Sequence, residues 1–253
     1  MRVLELFSGC GGGLLASIIL GHEPVVAVEW DPYCCQVLRE RAAEGWFPNL
    51  QVWEGDIREF DGRPWAGKVD CVAGGFPCND ISIAGKGDGI EGDKSGLWRE
   101  MARIVGEVRP HYVFVENSPM LTSRGLGRVL GDLASLGFDA EWDCFSAHEA
   151  GAPHLRERLF ILAYADGKRW DSVDENKQER CSDFNPQIFE AWRDLQAILR
   201  ISMETSFDNP VRGVLRNDDG ISDGMDRIKS IGNAQCPQAA ALAWRELYGR
   251  INS

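Results

Sequence analysis

Residues 4–13 read LELFSGCGGG, an apolar run that passes directly into a cluster of glycines. The apolar run predicts a strand, the glycines predict a tight turn, and the apolar residues that follow predict a helix. Glycines in such a turn let the backbone approach a bound nucleotide-like ligand closely. Alone, the pattern discriminates poorly, because NAD enzymes, proteins that bind other cofactors and ordinary tight turns all use it. The same strand–turn–helix pattern recurs in later segments of the chain.

The first 165 residues alternate short apolar runs with amphipathic stretches, which is typical of an α/β fold with parallel strands and crossover helices. The candidate strands are Val3–Phe7, Pro24–Glu29, Val52–Glu54, Val69–Gly74, Tyr112–Glu116 and Leu159–Tyr164. The candidate helices are Asp31–Arg41, Leu97–Val108, Leu126–Leu136 and Cys236–Tyr248, and the last has an apolar face suited to packing on the sheet. Residues 1–165 and 230–253 therefore form one predicted domain, and the polar, acidic residues 166–229 form a small second one.

Composition and charge narrow the class of protein. Of the 253 residues, 44% are hydrophobic and 26% charged, as in ordinary globular proteins, and no apolar run reaches the roughly 20 residues of a membrane-spanning helix. The N-terminus runs straight into a strand pattern, so we expect no signal peptide, a cytoplasmic location and reduced cysteines. The net charge of −12 argues against a nonspecific DNA coat protein. It does not exclude an enzyme with a local basic cleft.

Two acidic positions after the next strands extend the glycine turn into a candidate cofactor pocket. Glu29 and Trp30 end the second strand, where an acid can bind ribose hydroxyls and an indole can stack on adenine. Asp56-Ile57 follows the third strand and offers an acceptor for an adenine amino group. The alternatives are ordinary core packing for Trp30 and a helix cap for Asp56.

The most informative stretch is residues 74–82, GGFPCNDIS, which presents Cys78 after a strand in a turn shaped by glycine and proline. Exposure near a following helix terminus favours the thiolate form of a cysteine. Glu116 ends another strand at the same predicted edge of the sheet, and a cysteine with a nearby carboxyl group indicates a nucleophile and an acid. The alternatives are a buried structural cysteine, as the other seven cysteines can be, and a capping or surface glutamate.

Arg156 and Arg158 both lie just before the last candidate strand, Leu159–Tyr164. If the segment is extended, arginines two residues apart point the same way. They could serve a base carbonyl or a phosphate, or they could form surface ion pairs. His148, Glu149 and His154 do not have the H-E-x-x-H zinc spacing, and the cysteines lack paired C-x-x-C motifs, so we expect no metal site.

Taken together and in order, these segments resemble the DNA cytosine-5 methyltransferase family of bacterial and phage type. The resemblance covers Phe7-Ser8-Gly9-Cys10-Gly11-Gly12, Glu29-Trp30, Asp56, Pro77-Cys78, Glu116-Asn117, Arg156-x-Arg158 and Gly232-Asn233-Ala234. Three positions depart from the usual pattern: Asn79 replaces a glutamine, Ser118 a valine and His154 a glutamine. None of these departures removes the cysteine, the glutamate or the arginines.

The resemblance implies a Rossmann-like fold that binds S-adenosyl-L-methionine, with a catalytic domain in residues 1–165 and 230–253 and a small target-recognition domain in residues 166–229. The cofactor-binding residues that it implies are Phe7, Ser8, Gly9, Cys10, Gly11, Gly12, Glu29, Trp30, Asp56, Ile57, Pro77, Leu97, Asn233 and Ala234. Candidate DNA contacts in the recognition segment are Arg193, Arg200, Arg212, Arg216, Arg227 and Lys229.

The same resemblance implies a mechanism on a cytosine flipped out of double-stranded DNA. Cys78 would add to C6, Glu116 would bind N3 and the amino group, and Arg158 would bind O2. Arg156 would support Arg158 or contact a phosphate. The base that removes the C5 proton is left open, with water as one candidate. The glycine-rich residues 79–96 have the composition of a mobile lid, or else of an irregular surface loop.

The expected partner is double-stranded DNA, with a restriction endonuclease as a candidate counterpart, no membrane, and a monomeric state. One alternative is cytosine-5 methylation of RNA, as in the tRNA-acting branch of the same family. A second is an NAD-dependent oxidoreductase, which would leave Cys78 and Glu116 unexplained. A third is an inactive DNA-binding relative, against which the intact Cys78 and Glu116 argue.

Overall fold

The computed structural model describes residues 1–77, 97–152, 155–165 and 235–252. At its centre is a seven-stranded sheet in the order β3-β2-β1-β4-β5-β7-β6. The strands are β1 (Arg2–Leu6), β2 (Glu23–Glu29), β3 (Gln51–Glu54), β4 (Cys71–Gly75), β5 (Tyr112–Asn117), β6 (Phe138–Ser146) and β7 (Glu157–Ala165). The described helices are α1 (Gly12–Ile19), α2 (Pro32–Ala43), α3 (Leu97–Val108), α4 (Leu121–Arg124), α5 (Leu126–Ser135) and α6 (Pro237–Ile251).

The parallel part of the sheet creates the edge at which the predicted motifs meet. β1 pairs in parallel with both β2 and β4, and β4 pairs in parallel with β5. From β1 the chain continues to β2 and β3 on one side of the sheet, and it then returns to β4 and β5 on the other side. The direction of strand addition therefore reverses between β1 and β4. In open α/β sheets, ligands bind at the carboxyl ends of the strands beside such a switch point. The glycine turn follows β1 and the residues before Cys78 follow β4, so both lie at this point.

Helices cover both faces of the sheet, which explains why its central strands are mostly apolar. On one face, Leu4 and Leu6 pack with Met101 and Ile104 of α3. On the other, Val3 and Phe114 pack with Trp244 of α6 in a second cluster. The prediction that the C-terminal helix packs on the main sheet is confirmed.

The prediction of uniformly parallel strands is wrong on one side of the sheet. The candidate strand Leu159–Tyr164 lies within β7, which is antiparallel to both β5 and β6. Residues 147–156, which join β6 to β7, are too few for a crossover connection, since that takes a dozen or more residues. β6 was not predicted, because Asp139, Glu141 and Asp143 interrupt its apolar pattern. Charged side chains are usual on an edge strand, where they discourage pairing with other chains.

The remaining predicted elements agree closely with the structure. Leu97–Val108 has the predicted bounds, and the other predicted strands and helices differ at their ends by at most three residues. The predicted recognition domain, residues 166–229, lies outside the described residues. Within the described ranges, no helix has the length and hydropathy that a membrane span requires.

Candidate active site

The glycine turn after β1 has an unusual backbone. Phe7, Gly9 and Gly11 have φ values of 56°, 51° and 94°, in the left-handed region. Glycine adopts this region without strain, whereas Phe7 does so at a cost that points to a functional constraint. The Gly11 N–H donates to the Ser8 carbonyl at 2.9 Å and closes the turn. A Cβ on Gly9 would meet no atom within 4 Å, so the backbone is open on that side.

Glu29 holds this turn against the end of β2. Its carboxylate is buried and accepts three backbone hydrogen bonds, at 2.7 Å from Gly9, 3.0 Å from Trp30 and 2.9 Å from Asp31. A carboxylate has about four acceptor positions, so one remains for a hydroxyl group of a ligand. Glu29 thus has a structural role in stabilising the turn, and ribose binding by Glu29 stays a prediction.

The structure bears on the alternatives given for Trp30, which were stacking or core packing, and for Asp56, which were an adenine contact or a helix cap. Trp30 is 72% exposed, so the core-packing alternative is wrong and its indole is available for stacking. Asp56 caps a short 3-10 turn, Ile57–Glu59, by accepting a hydrogen bond from the Arg58 N–H at 3.0 Å. The capping alternative for Asp56 is therefore confirmed, and its contact with an adenine stays a prediction. Ile57 is buried in the main core.

The described residues of the pocket fit an adenosine-containing cofactor. They combine an open left-handed glycine turn, a buried acid with one acceptor position left, and an exposed indole at one edge of the sheet. Pro77 is half-buried, and Leu97 packs against the main core at the start of α3. Asn233 and Ala234 lie outside the described residues. The backbone of Gln235, which follows them, lies against Gly12, where the Gln235 carbonyl oxygen is 2.3 Å from the position of a Cβ.

Glu116 and Arg158 form a partly buried ion pair at the same edge. Nε of Arg158 lies 2.8 Å from Oε1 of Glu116, whose side chain is only 14% exposed, so the surface-glutamate alternative is wrong. Burial raises the pKa of Glu116, while Arg158 and Arg156 act to lower it. Gly75 lies opposite Glu116 in the pairing of β4 with β5, and a Cβ there would lie 2.5 Å from Oε2 of Glu116. A side chain at position 75 would therefore force this carboxyl group to move.

Cys78 and His154 lie outside the described residues, but the chain that leads to Cys78 is anchored. The buried amide of Asn117 donates from Nδ2 to the carbonyl oxygen of Phe76 at 3.0 Å. Its Oδ1 accepts a hydrogen bond from the Ser118 N–H at 2.8 Å. The end of β5 therefore fixes the backbone two residues before Cys78.

Comparison with known families matches most of the chain to one family. The model of the family described as C-5 cytosine-specific DNA methylase matches residues 1–212. The chain belongs to this family. The resemblance drawn from the sequence motifs is thereby confirmed.

Two relatives and one solved structure extend the comparison. The chain is 36% identical over 166 residues to the type II methyltransferase M.Eco47II of Escherichia coli, an alignment that covers 64% of this chain and 39% of the relative. It is 36% identical over 187 residues to M.PspPI of a Psychrobacter strain, covering 72% and 43%. The chain thus spans about two fifths of the length of these relatives. A DNA modification methyltransferase encoded within an Escherichia coli prophage aligns with a TM-score of 0.54 and 24% identity, covering 69% of this chain and 49% of the other. This likeness confirms the predicted Rossmann-like methyltransferase fold.

Two polar residues of this C-5 cytosine methylase chain have structural roles that sequence reasoning missed. Asn117 stood within the Glu116-Asn117 motif, but nothing in the sequence linked it to Phe76. Glu5 stands in the middle of the apolar run of β1, a position where an acid is unexpected. It is buried, and among the described residues its Oε2 has no hydrogen-bond partner. Burial, and next the charge of Glu116, raise the pKa of Glu5 to about 8.

Proposed function

We propose that the chain transfers a methyl group from S-adenosyl-L-methionine to C5 of a cytosine in double-stranded DNA, through a covalent bond between Cys78 and C6. The observation that carries this proposal is the partly buried ion pair of Glu116 and Arg158 at the switch-point edge of the sheet. Next to Glu116 in the chain, Asn117 donates a hydrogen bond to the carbonyl oxygen of Phe76, two residues before Cys78. Membership of the C-5 cytosine-specific DNA methylase family supports the same reaction.

The residues of the chain divide the chemistry between them. The Cys78 thiolate adds to C6, and the electron pair of the C5–C6 double bond makes C5 nucleophilic. Burial favours the neutral acid form of Glu116, which can donate a hydrogen bond to N3 as negative charge develops on the ring. Arg158 orients Glu116 through their ion pair and would bind O2 of the cytosine, with Arg156 in support. After transfer, C5 loses its proton, for which water is one acceptor, and Cys78 leaves as the C5–C6 double bond re-forms.

The cofactor pocket that we propose uses the turn of residues 7–12 together with Glu29, Trp30 and Asp56. S-adenosyl-L-methionine supplies an electrophilic methyl group on a sulfonium. The left-handed turn would bring backbone N–H groups close to the ligand, and the remaining acceptor position of Glu29 would receive a ribose hydroxyl. The exposed face of Trp30 would stack on the adenine. Ile57, Pro77, Leu97, Asn233 and Ala234 complete the proposed set.

Recognition of DNA falls to parts of the chain outside the described residues. We assign the choice of target sequence to residues 166–229 and closure over a flipped cytosine to residues 79–96. The relatives are named as type II methyltransferases, which supports a proposed pairing with a restriction endonuclease. We expect the chain to act on DNA as a monomer.

The test is to supply S-adenosyl-L-methionine with a labelled methyl group to the purified chain, with duplex DNA in one reaction and tRNA in another. Label should enter the DNA and not the tRNA, and a Cys78→Ala variant should transfer none. Label in tRNA alone would favour the RNA-methylating alternative. Binding of NAD without S-adenosyl-L-methionine would favour an oxidoreductase. DNA binding without transfer by the wild-type chain would favour an inactive relative.

A further inference from the structure

Two cysteines lie in contact beside the glycine turn. Sγ of Cys10, in the turn itself, is 3.4 Å from Sγ of Cys34, in the first turn of α2. A disulfide bond is about 2.05 Å long, so the two sulfur atoms need to approach by only about 1.4 Å. Cys10 is partly exposed and Cys34 is buried. The interpretation that the other seven cysteines can all be buried packing residues does not hold for Cys10, Cys144 and Cys236, which are partly exposed.

The backbone around this pair can accommodate that approach. Cys10 stands between Gly9 and Gly11, which both have positive φ values, and there is open space beside Gly9. The backbone of Cys34 is held more firmly than that of Cys10. The carboxylate of Asp31 caps the start of α2 by accepting hydrogen bonds from the N–H groups of Tyr33 and Cys34. The glycine turn is therefore the partner that moves.

The neighbouring cysteines are less suited to the same chemistry. Cys35 is next to Cys34, but its Sγ donates to the carbonyl oxygen of Glu29 at 3.4 Å, and burial, followed by the charge of Glu54, raises its pKa to about 11. Burial raises the pKa of Cys71 as well, and that thiol is fully enclosed in the second core cluster. Thiolates react with oxidants faster than thiols, so these two sites are protected.

We propose that Cys10 and Cys34 form an oxidisable dithiol site, which two-electron oxidants such as peroxides convert to a disulfide. The partly exposed Cys10 thiol is oxidised by hydrogen peroxide to a sulfenic acid, with release of one water. The Cys34 thiol then displaces the sulfenic oxygen, the S–S bond forms, and a second water leaves with both remaining protons. A thiol reductant reverses the step.

The location of the disulfide gives it a consequence for ligand binding. Gly9, adjacent to Cys10, donates its N–H to Glu29 at 2.7 Å, and Trp30 and Asp31 precede α2. Drawing the turn toward α2 displaces the backbone that faces the cofactor. We therefore predict that oxidation weakens binding of S-adenosylhomocysteine at least tenfold. This prediction rests on the proposed function. Binding is the suitable measurement because it does not require Cys78, whose own oxidation would stop turnover.

The experiment treats the full chain with hydrogen peroxide, blocks the remaining thiols by alkylation, and digests it without reduction by a protease that cleaves after glutamate. Cleavage after Glu5, Glu29 and Glu40 places Cys10 and Cys34 in separate peptides, 6–29 and 30–40; the bond after Glu23 precedes Pro24 and resists such proteases. Mass spectrometry should find these peptides cross-linked in the wild type and in a matched Cys35→Ala variant. The cross-link should be absent from Cys34→Ala and from any sample treated with dithiothreitol.

Calorimetric titration with S-adenosylhomocysteine follows on the same samples. Oxidation should lower the affinity of the wild type and of Cys35→Ala, and it should leave that of Cys34→Ala unchanged. No cross-link in the wild type, or a cross-link that persists in Cys34→Ala, would overturn the dithiol site. A cross-link without a change in affinity would overturn its effect on the pocket. Failure of the reduced wild type to bind S-adenosylhomocysteine would count against the proposed function instead, because the mass measurement is independent of it.

Discussion

Glu116 lies in an environment that favours both of its protonation states. Burial stabilises the neutral acid, while Arg158 at 2.8 Å and the nearby Arg156 stabilise the carboxylate. A group balanced in this way can donate a hydrogen bond to a reacting ring and still be held in place by its arginine. Glutamine in its place keeps the shape but can neither carry charge nor transfer a proton.

A Glu116→Gln substitution should therefore lower the turnover number by about 10²- to 10⁴-fold, the usual contribution of general acid–base catalysis. Affinity for S-adenosylhomocysteine should change little, since the pocket residues are elsewhere on the sheet edge. Steady-state methylation and calorimetric titration would measure the two quantities. Glu54→Gln, which alters an exposed glutamate paired with Arg39, is the control and should keep wild-type turnover. Near-normal turnover in Glu116→Gln would refute the assigned role.

Glu5 predicts a specific dependence of stability on pH. Its pKa is raised from 4.5 to about 8 by burial and then by Glu116, so between these pH values the folded chain binds a proton that the unfolded chain releases. The free energy of unfolding must then fall as pH rises, by up to about 1.4 kcal/mol per pH unit from this group alone. The contribution of Glu5 is fully present below about pH 4.5 and fully lost above about pH 8.

Glu5→Gln should remove this part of the pH dependence, because the amide stays neutral. Urea unfolding at pH 5.5, 6.5 and 7.5 should show the variant gaining stability over the wild type as pH rises, by up to about 1.4 kcal/mol per unit. Glu44→Gln, at an exposed glutamate paired with Arg41, should follow the wild-type slope. Equal slopes for Glu5→Gln and the wild type would mean that Glu5 is ionised in the folded chain.

At the level of secondary-structure elements, the pairing of β4 with β5 determines the position of the Glu116 carboxyl group. Gly75 lies opposite Glu116, and a methyl group at Gly75 would need the space that Oε2 of Glu116 occupies. Gly75→Ala should therefore displace the carboxyl group and lower turnover at least tenfold, since misplacement by about 1 Å can cost 10²-fold. Gly131→Ala in α5 is the matched control, because no atom lies within 4 Å of the added methyl group. It should keep full turnover and raise the melting temperature. Equal turnover in the two variants would contradict this account of Gly75.

Aromatic contacts join α6 to the sheet. The ring of Trp244 is 6% exposed and meets His22, Tyr112 and Phe114 edge to face, with centroids 5.1 to 5.7 Å apart. Trp244→Ala should cost about 3–5 kcal/mol in the free energy of unfolding, as truncation of a buried aromatic residue does. Denaturant titration would measure this loss. The control is Trp142→Ala, which removes a ring that is 41% exposed on β6. If both variants lost the same stability, α6 would not be held by Trp244.

For the whole molecule, the sequence predicted the parallel half of the sheet because helices cover both of its faces and its central strands are mostly apolar. It also predicted the glycine turn, since glycine adopts the positive φ values of Gly9 and Gly11 without strain. It missed β6, whose three acids hide its extended pattern. It could not derive the contact between Glu116 and Arg158, which depends on the antiparallel register of β5 with β7, where Glu116 faces Phe160. Such registers are fixed by packing over the whole sheet and not by local pattern.

The central claim is that this chain methylates cytosine at C5 in DNA through Cys78. Its most direct test is to express the wild type and Cys78→Ala in a host that lacks cytosine methylation, and to sequence the host DNA after bisulfite conversion. Converted cytosines read as thymine and methylated ones do not, so the sites of methylation and their shared sequence emerge together. The account predicts protected cytosines in one short sequence context for the wild type and none for Cys78→Ala. Complete conversion with well-folded wild-type protein, or equal protection with Cys78→Ala, would contradict it.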